Sequence, residues 1–93
     1  MLTQLTQVIR EPNRFLLKQV FVNQDHVTTI TEDTHLEVQN SKSGPIVEGL
    51  NKQHRFSRIS LNSGGQSRSI TVIGDPESIM SEFKKNKRQL LRG

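Results

Sequence analysis

Apolar and polar positions along the chain fall into two periods, one suited to strands over most of its length and one suited to a helix at its end. Phe15 to Val22 is rich in Phe, Leu and Val, a composition that suits a strand covered on both faces. Met1 to Arg10 sets Leu2, Leu5, Val8 and Ile9 among Thr and Gln, a spacing that fits either a short helix or an edge strand. Pro12-Asn13 breaks the chain between these runs, and Asn23-Gln24-Asp25 suits a turn. Val27–Thr31 and His35–Gln39 read as two short strands around Glu32-Asp33-Thr34. Phe56–Leu61 and Arg68–Ile73 flank Asn62-Ser63-Gly64-Gly65, whose glycines admit the positive φ of a tight hairpin.

The period changes after Gly74. Asp75-Pro76-Glu77 has the chemistry of a helix start: Asp caps free N–H groups, Pro suits the first turn, and Glu complements the dipole. On a helical wheel Ile79, Phe83, Leu90, Met80 and Leu91 share an arc of roughly 120°, and Lys84, Arg88, Arg92 and Lys85 fill the next arc of roughly 100°. Lys87 interrupts the apolar side, where its stem packs while its ammonium reaches out. One face is built to dock and the other to meet an anion. Between the strand-like runs, residues 40–54 are polar and punctuated by Gly44, Pro45 and Gly49, with Ile46 and Val47 as an apolar island; a long mobile loop is expected there. The whole predicts a single α+β domain over residues 1–93. Its antiparallel sheet has about five strands, curled towards a barrel, and the C-terminal helix packs across it through Ile79, Met80 and Phe83.

Composition narrows the function classes. The chain has 93 residues, 31% of them hydrophobic, with no Trp or Tyr, so the core rests on Leu, Ile, Val and four Phe. So thin a core favours pairing with a second copy, and a homodimer is expected. There is no Cys, which excludes disulfides and thiolate metal sites. No apolar run approaches the ~20 residues of a membrane span, and the N-terminus lacks a secretory pattern, so a cytoplasmic protein without a membrane partner is expected. The net charge is +4, and its distribution is polar along the chain. Asp25 to Glu37 carries acids and no Lys or Arg, whereas from Phe83 onward the charge is purely positive.

The run Val20-Phe21-Val22-Asn23, then Val27, Ile30, Ile59-Ser60-Leu61, Gly64-Gly65, Ile70-Thr71-Val72 and Asp75-Pro76-Glu77-Ser78-Ile79 resembles the small FlbD-type proteins of bacteria and phages. The resemblance spans about residues 15–83. The insertion at 40–54 and the basic extension after Phe83 depart from it. It implies a non-catalytic accessory or regulatory β domain and transfers no site residues.

Candidate chemistry is sparse. His26, His35 and His54 have no metal-ligand spacing on one element, and the serines sit in no nucleophile motif. Ser63-Gly64-Gly65-Gln66-Ser67 lacks the Lys-Ser/Thr ending and following helix of a phosphate loop. No catalytic residue, metal or cofactor is therefore expected. The basic residues Arg55, Arg58 and Arg68, joined by Lys84, Lys85, Lys87 and Arg88, point to a surface for RNA, ahead of DNA, or another polyanion. Phe56 among the arginines either stacks on an unpaired base or packs in the core. The rival reading is an inhibitor or adaptor, of the kind phages encode, that blocks a larger protein and uses Ile46, Val47 and Leu50 as its anchor.

Overall fold

In the computed structural model, which describes residues 2–42 and 44–92 with side chains through Lys85, five antiparallel strands form one sheet with a helix on each face. The elements are β1 (Leu2–Glu11), β2 (Arg14–Asn23), a single 3-10 turn (Gln24–His26), β3 (Val27–Glu32), α1 (Thr34–Lys42), β4 (Phe56–Ser63), β5 (Gln66–Ile73) and α2 (Pro76–Arg92). Strand order is β2-β1-β5-β4-β3. Among the described residues β2 and β3 end the sheet without pairing with each other, so the sheet is open and the barrel-like curl does not occur.

Two tight hairpins build most of the ladder. β1 and β2 pair from Leu2↔Asn23 to Glu11↔Arg14 across the two-residue loop Pro12-Asn13. β4 and β5 pair from Phe56↔Ile73 to Ser63↔Gln66, and Gly64 and Gly65 take φ of 59° and 82°. Positive φ at both loop residues matches the right-handed twist of the flanking strands. Among the described residues the ladder joining the two hairpins is Gln7 with Val72 and Val8 with Thr71.

The alternation of each strand divides the core. On one face Leu5, Val22, Ile59, Leu61, Ile70 and Val72 lie under α2, which contributes Ile79 and Phe83 from successive turns. On the other face Val8 and Phe56 pack with Leu36 of α1, joined by Phe15, Ile46, Leu50 and Ile73. Met80 stands at the edge of this arrangement and is 43% exposed, so it is not part of the packing as the wheel suggested. Asp75 starts α2, accepting from the Ser78 N–H and from its hydroxyl; that hydroxyl bond holds the Asp75 carboxyl below its ordinary value.

Three segments, His35–Gln39, β1 and β2, differ from the sequence expectation. His35–Gln39 is helix rather than strand: Asp33 caps it, its carboxylate accepting from the Leu36 N–H at 3.1 Å and its carbonyl from Glu37. The side chains that turn inward, Leu36 and Asn40, are one helical turn apart, and the second is polar. β1 lies inside the sheet, and β2, expected to be covered on both sides, is an edge strand with Phe21 61% exposed. Residues 44–55 hold neither helix nor strand but are tied down. Buried Asn40 donates to the Asn51 carbonyl at 2.8 Å and accepts from the Ile46 N–H at 2.9 Å.

Candidate strand-docking groove and basic surface

The ladder determines which backbone groups the edges present. In an antiparallel pair, alternate residues exchange both hydrogen bonds and the intervening ones face away. Asp33 N–H donates to the Phe56 carbonyl at 2.8 Å, and Thr31 pairs with Arg58 two residues along. Ile30 and Glu32 therefore turn their N–H and C=O outward, at the open side of β3. Along that side runs a groove of about 850 Å³, bounded by Val27, Thr28, Thr29 and Ile30 of β3 and by Pro76, Glu77, Met80 and Phe83 of α2. Val27 and Ile30 pack against the core beneath α2, which gives the groove an apolar floor beside a backbone edge. Asp25, Glu77 and Lys84 also line it.

The basic residues read from the sequence do not form one surface. Arg55 holds Glu32 in a two-pronged contact, its Nη2 2.7 Å from Oε1 and its Nε 3.2 Å from Oε2, and stands 4.0 Å from Glu37. This contact lowers the Glu32 carboxyl from its ordinary value and raises the Arg55 guanidinium. Glu37, which also accepts from the Phe56 N–H at 3.1 Å, is pushed up, first by burial. Arg58 faces Asp33 at 3.7 Å. Two of the expected anion contacts are thus partly neutralised by acids of β3 and α1. Arg68 is exposed near the tip of the β4–β5 hairpin, paired across it with Leu61. Lys84 and Lys85 are exposed on α2, and the side chains of Lys87 and Arg88 lie outside the described residues.

Phe56 is fully buried between β4 and α1, so it packs and offers no ring to a base. Ile46 and Leu50 lie against the same cluster, and Val47 is half-buried. His54 accepts from the Asn51 N–H through Nδ1 at 3.0 Å. Among the described residues no group of three His, Asp or Glu could hold a metal ion, and no helix is long and apolar enough to cross a membrane. The groove escaped the sequence reading because strand order decides it. Met80, at the margin of the apolar arc of α2, was its one local signal.

No family model, curated protein or solved structure matches the chain.

Proposed function

We propose that the chain is a non-catalytic cytoplasmic accessory module that captures an extended segment of another protein alongside β3. The observation that supports this reading is the outward backbone edge at Ile30 and Glu32, set directly beside the apolar groove under α2. A strand added there gains main-chain hydrogen bonds, and its alternate side chains enter the groove against Met80 and Phe83. The favoured ligand is an extended peptide with apolar residues at every second position. Such a module acts as an adaptor or inhibitor.

The test is a screen of immobilised extended peptides, followed by nuclear magnetic resonance titration of the selected sequence into labelled protein. The amides of Ile30 and Glu32 should shift and gain protection from exchange. Met80→Lys, at an exposed helix position, should lower affinity at least tenfold with little change in stability. Undiminished binding by that variant would refute the assignment.

A second reading, binding of RNA or another polyanion, draws on exposed Lys84 and Lys85 beside each other on α2. It predicts retention on heparin that falls steeply with salt and is lost in a Lys84→Glu/Lys85→Glu variant.

A further inference from the structure

We infer that β2, the opposite edge of the sheet from the groove, is a self-association strand that pairs with β2 of a second copy about a two-fold axis through Gln19. The inference does not rest on the peptide groove, since the two edges are separated by the whole sheet.

The hairpin fixes which groups of β2 are available. A two-residue loop makes Glu11↔Arg14 a hydrogen-bonded pair, so Leu16, Lys18, Val20 and Val22 bond to β1. Phe15, Leu17, Gln19, Phe21 and Asn23 therefore direct their N–H and C=O away from it. Long edges of this kind invite pairing unless charge or proline blocks them. Between Phe15 and Asn23 the only charge is Lys18, and Leu17 and Phe21 are respectively 36% and 61% exposed.

Two-fold antiparallel pairing must match outward groups with outward groups, which limits the registers. Centred on Lys18, the pairing opposes two ammonium groups at the axis, where like charges repel. Centred on Val20, it shortens the overlap and sets Leu17 against Asn23 and Phe21 against Gln19. Centred on Gln19, it opposes Gln19 to its copy, Leu17 to Phe21 twice and Phe15 to Asn23 twice, all on one face. On the other face Leu16 meets Val22 and Lys18 meets Val20. This register alone covers the exposed Leu17 and Phe21 with each other and takes the two lysines off the axis. A continuous sheet across both copies results, with each groove at an outer edge.

The chain contains no Cys, so single cysteines report the register cleanly. Hydrogen-bonded partners lie about 5.5 Å apart between Cα atoms, within the range a disulfide spans. Sedimentation equilibrium of the unmodified protein should give twice the 10.6 kDa chain mass. Gln19→Cys should oxidise to a covalent dimer at least tenfold faster than Lys18→Cys. Gln19→Pro removes an outward N–H together with the side-chain oxygen that accepts from Gln4 at 3.0 Å, and should yield a folded monomer; Phe21→Glu should do the same if proline disturbs the strand. A monomeric mass up to the solubility limit would overturn the proposal. So would faster cross-linking at position 18, or dimers that persist in folded Gln19→Pro and Phe21→Glu.

Discussion

The Asn40 carboxamide meets the Asn51 carbonyl at 2.8 Å, while its oxygen receives the Ile46 N–H, and the residue is fully buried. One side chain of α1 thus satisfies backbone groups of a segment that has no ladder of its own. Asn40→Leu keeps the branched outline with some added bulk and leaves both partners unpaired. At about 1–3 kcal/mol for each of the two part-buried groups, a loss of about 2–6 kcal/mol is expected. Urea unfolding should show it as a lowered midpoint, and a change below about 1 kcal/mol would mean that water replaces the amide.

Phe56 and Arg58, neighbours in the same strand, should separate packing from charge. Phe56→Ala removes a buried ring between α1 and β4 and should cost about 3–5 kcal/mol. Arg58→Ala breaks a 3.7 Å contact between an exposed guanidinium and the mostly covered Asp33 carboxylate, and should cost about 1 kcal/mol. Thermal unfolding of the two variants gives the comparison.

The carboxyls of Glu32 and Glu37 respond to acid in opposite senses. Glu32 has its folded pKa lowered, first by the hydrogen bond from Arg55, so its contribution is present above the unfolded carboxylate value and is lost as pH falls through the folded one. Glu37 has its folded pKa raised, first by burial, so its contribution is full below the unfolded value and is lost as pH rises through the folded one. Glu37→Gln retains an acceptor for the Phe56 N–H and should raise the melting temperature at pH 7. That gain should shrink towards pH 4, and a gain that grew on acidification would contradict the sign.

Gly64 and Gly65 hold left-handed backbone at the β4–β5 turn. Replacing either with Ala should cost about 1–2 kcal/mol, or several degrees of melting temperature, while Asn at the same place should cost less. The paired melting curves of the Ala and Asn variants are the check.

What the sequence disclosed follows from which interactions are local. The Gly64-Gly65 hairpin and the Asp75-Pro76 helix start were legible because turn and cap chemistry act within a few residues. Helix α1 was not, since Asn40 occupies the inward position one turn after Leu36 and breaks the apolar period. β2 looked interior by composition, yet hydrophobicity does not say which strand ends a sheet. The acidic partners of the arginines were hidden for a similar reason. Arg55 and Arg58 meet Glu32, Glu37 and Asp33, partners distant in sequence and brought together by β3 pairing with β4. Phe56 follows from the same geometry, since α1 packs where a base would have stacked.

The narrow backbone join between β1 and β5 leaves the β1–β2 hairpin tied to the rest of the sheet by a short ladder and a shared core. The β1–β2 hairpin is held to the remainder through Gln7–Val72, Val8–Thr71 and the side chains on either face. Under a pulling force applied across that join, few bonds share the load, so this hairpin should detach before the β3–β4–β5 block loses its order. Hydrogen–deuterium exchange should accordingly rank the amides of β1 and β2 as earlier to open than those shared by β4 and β5. A strand that serves as an edge for a second copy would then be the part of the molecule most steadied by that copy's arrival.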